Sequence, residues 1–139
     1  MTIERFPDWP ERLLEYLQEA AKRPFEWGQH DCVLFALGSA KATTGVTTVD
    51  KLRGKYKSAI SAKREMRNRY GASTLTEAAT AVQKEWGVDE IQNVSFAQRG
   101  DIVEANVVSA EGGSGPSLGV VDLDGTHALF AGPSGAIRI

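Results

Sequence analysis

The chain has a single cysteine and two histidines in 139 residues. One thiol excludes an internal disulfide and argues against a cysteine-based zinc or iron–sulfur site within one chain. No ligand set for a metal or organic cofactor stands out, and none is expected. No run of about 18 apolar residues exists, so no membrane span is expected. Sixteen basic against eighteen acidic residues give a formal net charge of -2. That balance offers no global attraction for a polyanion, and nucleic acid is not an expected partner. The start, Met1-Thr2-Ile3-Glu4-Arg5-Phe6, lacks the basic and apolar regions of a secretory leader. It reads as a chain made and kept in a cytoplasm unless an assembly carries it out. Internal repeats are absent, as is any linker that would separate two domains. Gly112-Gly113-Ser114-Gly115 lacks the Lys-Ser/Thr and the following helix of a phosphate-binding loop, and reads as a flexible hairpin loop.

What is there is ordinary: 42% apolar and 24% charged residues. The chain is long enough to bury a core without staples, as a single domain over residues 1–139. Asp8-Trp9-Pro10-Glu11 predicts a capping box, with Leu13, Leu14, Leu17, Ala20 and Ala21 at helical spacing and Pro24 as the stop. A second helix is predicted from Cys32 to Thr43, ended by Gly45. Residues 46–57 read as loop with at most one short turn. A third helix near 58–70 lines up Ala59, Ala62, Met66 and Tyr70, with Gly71 after it. A fourth starts at the capping box Thr74-Leu75-Thr76-Glu77, turns Leu75, Ala78, Val82 and Trp86 inward, and ends at Gly87.

From Arg99 the pattern changes to strands. Asp101–Ala105, continuing toward Val108, is the first, and Ser117–Val121 the second, with a Gly/Ser loop over Ser109–Pro116 between them. Asp124-Gly125 predicts a tight hairpin turn. Thr126–Phe130 is the third strand, Gly132–Gly135 a turn, and Ala136–Ile139 the fourth strand. Helices first and an antiparallel meander after them define an α+β class.

The stretch with most chemical content is Phe25-Glu26-Trp27-Gly28-Gln29-His30-Asp31-Cys32, followed by Val33-Leu34-Phe35-Ala36-Leu37. Asp31 is a good N-cap, and Cys32 is then the first helical residue. A thiol there feels the positive end of the helix dipole, which lowers its pKa and suits a nucleophile. The plain alternative is a small buried hydrophobe on the inner face of the helix. His30 either stabilises a thiolate beside it or is an exposed loop histidine with a local hydrogen bond. His127 follows a hairpin turn, and strand alternation places it with Leu129 and Ala131. It is either a half-buried sheet histidine or part of a site. Between Lys51 and Arg69 stand eight basic residues and one acid, Glu65. They read as a solvated helix face; the alternative is a surface for nucleic acid, an anionic cell-wall polymer or an acidic partner protein, and no nucleic-acid-reading motif accompanies them.

An aromatic-x-x-Gly-x-x-Asp-Cys helix start, then Arg99-Gly100-Asp101-Ile102-Val103, then Leu118-Gly119-Val120-Val121, resembles the NlpC-type cysteine peptidases of the papain-like superfold. The particular variant resembles a small phage and prophage family of undefined function. The resemblance covers Phe25–Ala42 and Arg99–Ile139. It implies a papain-like fold of N-terminal helices packed on a small C-terminal antiparallel sheet. It also implies Asp31 and Cys32 at the nucleophile motif and His127 near the third-member position. Where those peptidases carry the base histidine, this chain has Ser117. A serine hydroxyl is too weak a base to take the thiol proton at neutral pH.

The resemblance therefore implies a degenerate peptidase acting as a structural or binding protein at the tail tip or hub of a long-tailed phage, prophage or gene-transfer particle. The chain would be made in a bacterial cytoplasm and incorporated into the tail. Other tail-tip or hub proteins would be its partners, with peptidoglycan as a further contact. Two alternatives stand beside this one. One is an active cell-wall cysteine peptidase, with Cys32 as nucleophile and His127 or His30 as base. The other is a cytoplasmic tail-assembly factor.

Overall fold

Among the described residues, five α-helices precede four antiparallel strands: α1 (Trp9–Ala21), α2 (Cys32–Thr44), α3 (Thr48–Leu52), α4 (Ala59–Tyr70), α5 (Leu75–Trp86), β1 (Ile102–Val108), β2 (Ser114–Val121), β3 (Ala128–Gly132) and β4 (Gly135–Arg138). A 3-10 turn spans Val94–Phe96 before β1. The structure, a computed structural model, describes residues 3–90, 94–108, 114–133 and 135–139. The strands form one sheet in the order β1-β2-β3-β4, each antiparallel to its neighbour. The architecture is α+β.

Helix α2 is the axle. It is apolar over most of its surface and buried from Leu34 to Ala40, with Lys41 exposed near its C-terminal end. Leu34 and Leu37 join a cluster with Val49, Leu52, Tyr56, Ala62, Met66, Ala78 and Val82 from α3 to α5. Phe35 faces the other way, into Leu13, Leu17 and Ala20 of α1 and Val120 and Ala131 of the sheet. Its polar side chains turn back on the helix: Ser39 Oγ donates to Ala36 O (2.6 Å) and Thr43 Oγ1 to Ser39 O (3.0 Å). The hydroxyls are thereby satisfied without leaving the core.

Most helix ends fall where local chemistry puts them. Asp31 caps α2, and Gly45, Gly71 and Gly87 end α2, α4 and α5 in the left-handed region. Ser58 and Ser61 form a reciprocal capping box on α4. The predicted box at the start of α1 does not form. The Asp8 carboxylate accepts from Arg12 Nε instead (2.8 Å), and Pro10 occupies the first turn. Thr74 caps α5 through Glu77 N, while Glu77 reaches back to Ser73 N rather than to Thr74. The segment read as loop over 46–57 contains α3, because Val49 and Leu52 bury there and Trp86 Nε1 donates to Thr48 Oγ1 (2.9 Å).

The sheet differs from its sequence reading in detail. Strand β2 starts at Ser114, three residues earlier than expected, because Val108 pairs with Ser114 and Ala105 with Ser117. Residues 109–113 of the predicted Gly/Ser loop, Ser134 of the predicted turn and Met1-Thr2 of the leader reading lie outside the described residues. The β2–β3 connection is wider than a tight turn: Asp122 N donates to His127 O (2.7 Å) and Gly125 N to Asp122 O (2.9 Å). The β2–β3 ladder runs only from Val121↔Ala128 to Gly119↔Phe130. Gly119 allows this closeness: a Cβ there would stand 2.5 Å from the Phe130 ring and 2.7 Å from Leu129 O. Gly119→Ala is expected to destabilise the fold by about 1–3 kcal/mol through overpacking. Urea unfolding checks this, and an unchanged midpoint would contradict it.

Candidate functional site

The segment 25–31 is a closed turn fastened to three other parts of the chain. Glu26 and His30 form an antiparallel bridge, with Glu26 N donating to His30 O (2.9 Å) and His30 N to Glu26 O (2.8 Å). Phe25 N donates to Gly132 O (3.1 Å), and Gly54 N donates to Gly28 O (2.8 Å). Gly28 sits at φ +82°, where a Cβ would be 1.9 Å from Tyr56 O, so glycine alone fits. The rings of Phe25 and Trp27 meet edge to face at 4.8 Å.

Asp31 closes this turn. Its carboxylate is fully buried and accepts three hydrogen bonds: Gly28 N (3.0 Å), Leu34 N (3.0 Å) and Tyr56 Oη (2.7 Å). One oxygen caps α2 while the other holds the turn and the tyrosine. Burial, with the neighbouring Asp31 charge second, raises the Tyr56 pKa well above its ordinary value, so its proton stays on the bond. Tyr56 is the residue that sequence reasoning misses. It lies 25 positions from Asp31 in a loop, and no local pattern marks it.

Cys32 opens α2 as predicted and is half-buried. Its thiol faces β2 beyond the end of the β2–β3 ladder. Burial pushes the thiol pKa up. The backbone of Leu118, the side chain of Ser117 and the backbone of Val33 act in the opposite direction, and the Asp31 charge adds to the rise. The net shift is upward, so desolvation outweighs the activation expected from the helix start. Ser117 is buried beside this thiol.

The two histidines each have contacts of their own. His30 is 3% exposed, not a surface loop residue, and its ring meets Phe35 edge-on at 5.8 Å. Burial lowers its pKa from 6.5 to about 4, with Arg23 and Arg53 adding to the drop, so it is neutral at pH 7. His127 stands exposed just before β3 rather than within a strand. Its Nδ1 lies 2.7 Å from Asp124 Oδ2, and Arg138 Nη2 shares that oxygen. Backbone N–H donation from Thr126, with help from His127 and Arg138, holds the Asp124 carboxyl well below the usual carboxylate range. The structure thus brings together Asp31, Cys32 and Ser117.

A cavity of about 640 Å³ lies between α2, α4, α5 and β1, walled by Val33, Leu37, Met66, Val82, Trp86 and Leu118 among others. It runs beside the thiol's neighbours, and Cys32 does not line it. Among the described residues, no group of three or more His, Cys, Asp and Glu is placed to hold a metal ion, and no helix is long and apolar enough to cross a membrane.

Residues 4–139 match the model of a family described as a domain of unknown function, DUF6950, and the chain belongs to that family. No curated protein and no solved structure matches it.

Two outcomes follow from the geometry. Asp31→Ala removes the cap and strands the buried Tyr56 hydroxyl, and is expected to cost about 2–4 kcal/mol. Tyr56→Phe leaves the carboxylate two amide donors and is expected to cost about 1–3 kcal/mol. Denaturant unfolding checks the order; equal or negligible losses would contradict it. His30 sets the second. Below pH 6.5 the unfolded chain binds a proton that the native site refuses until about pH 4. Native stability therefore falls as pH drops through that window, by about 1.4 kcal/mol per unit and on the order of 3 kcal/mol in all. His30→Gln is expected to be flatter with pH than wild type between pH 6.5 and 5; parallel curves would refute the assignment.

Proposed function

We propose that this member of the DUF6950 family is a structural or binding protein built on an NlpC-type, papain-like fold whose peptidase chemistry is disabled. The observation that carries the reading is Ser117 against the Cys32 thiol. The residue at the motif position of the base histidine in the resembling peptidases is a serine, which is buried and acts on the thiol through its side chain. A hydroxyl there donates a hydrogen bond but takes no proton at neutral pH. The raised thiol pKa points the same way, since the thiolate is the reactive form. The likeness of Phe25–Ala42 and Arg99–Ile139 to phage-borne members supports a place at the tail tip or hub of a long-tailed phage, prophage or gene-transfer particle. Other tail proteins are then the partners, with peptidoglycan as a further contact.

The test has two parts. Wild type, Cys32→Ala and Ser117→His are incubated with peptidoglycan stem peptides, and purified particles are searched for the chain by mass spectrometry. The expected result is no turnover by wild type and the chain present in finished particles at fixed stoichiometry. Loss of a general base lowers rate by about two to four powers of ten, so residual wild-type activity should fall below detection. Clear wild-type turnover that vanishes in Cys32→Ala would overturn the reading in favour of an active peptidase. A chain present in the lysate but absent from particles would replace it with an assembly factor.

A further inference from the structure

We infer that the chain associates with copies of itself head to tail, the outer face of α4 in one copy lying against the outer face of α1 in the next. Helix α4 buries Ala62 and Met66, which turns Ile60, Lys63, Arg64 and Arg67 outward. Ile60 is 73% exposed, the most exposed large apolar side chain among the described residues. Lys63, Arg64 and Arg67 have no ion-pair partner among the described residues, and Lys55 and Lys57 extend the same charge just before the helix.

Helix α1 carries the complement. It buries Leu13, Leu17 and Ala20 and presents Glu11, Glu15 and Glu19, one turn apart, with Leu14 at 47% exposure beside them. These three carboxylates also lack ion partners among the described residues. Each face therefore pairs a charged row with an exposed aliphatic side chain; on α1, Arg12 beside the row is paired with Asp8, and Lys22 closes the row at the helix end. Opposed, the rows neutralise each other and Ile60 and Leu14 leave water.

The faces do not satisfy each other within one molecule. Helix α1 belongs to the apolar cluster on one side of α2 and α4 to the cluster on the other. The net charge of -2 means that the separation of charge, not an excess of it, drives the contact. This favours a second copy, which supplies the complementary acidic face, over a polyanion, for which the chain as a whole has no net attraction. A contact between two different patches leaves the α4 face free at one end of the assembly and the α1 face free at the other, so it propagates as a filament or closes into a ring. The inference is independent of the chemistry at Cys32.

Sedimentation velocity of the full chain, at concentrations up to about 1 mM, tests it. Wild type is expected to associate at about 50 mM salt, with affinity at least about tenfold weaker at about 500 mM, where exposed charges are screened within a few ångströms. The variant Lys63→Glu/Arg64→Glu/Arg67→Glu and the variant Glu11→Lys/Glu15→Lys/Glu19→Lys are each expected to be monomeric alone. Their equimolar mixture is expected to associate again, because each then offers the face the other lacks. That rescue separates lost contact from lost folding. A monomeric wild type at low salt, association indifferent to salt, or a mixture that stays monomeric would each overturn the inference. So would association that nuclease treatment abolishes, which would assign the basic face to nucleic acid.

Discussion

One buried carboxylate organises the molecule. Asp31 takes hydrogen bonds from the turn at Gly28, the first turn of α2 at Leu34, and Tyr56 in the loop before α4. A carboxylate out of water is tolerable only when it is hydrogen-bonded, and these three donors supply charge-assisted bonds to both of its oxygens. The same three bonds set the direction in which α2 leaves the turn. They therefore set where Cys32 points and which faces of α2 meet the sheet and the later helices. The candidate site and the packing share a single fixed point.

From that point α2 divides the interior. On one side the aromatic and aliphatic contacts join α1 to the sheet; on the other they join α3, α4 and α5. Because α2 buries side chains into both clusters, neither side is optional to the other. The thiol stands at the upper end of this division, where the β2–β3 ladder has stopped and β2 alone faces the helix start. Its environment is a packed seam more than an open cleft.

Local signals in the sequence located what local physics decides. Helix ends at Asp31, Gly45, Gly71 and Gly87 were legible because a cap is a contact within a few residues. What depended on distant partners was not. Asp8 had the composition of a cap, but Arg12 took its carboxylate. Ser114 and Gly115 had the composition of a loop, but β1 was available to pair with them. The helix-start position of Cys32 suggested an activated thiol, but burial raises its pKa, and the Leu118 and Ser117 groups that oppose the rise lie more than eighty residues away in the chain. The grouping of Asp31 and Cys32 was readable directly. Ser117 entered only through the family motif, and Tyr56 through nothing in the sequence.

The solitary thiol also makes the molecule its own reporter of breathing. With one cysteine there is no competing sulfhydryl, and that one is desolvated at the junction of α2 and β2. An alkylating reagent reaches the reactive thiolate fastest when this junction parts. The rate of labelling, compared with that of the unfolded chain, then measures the free energy of a local opening rather than of global unfolding. The two numbers need not agree, and their difference tells whether the sheet can lift from the central helix while the helices around α3 to α5 stay packed.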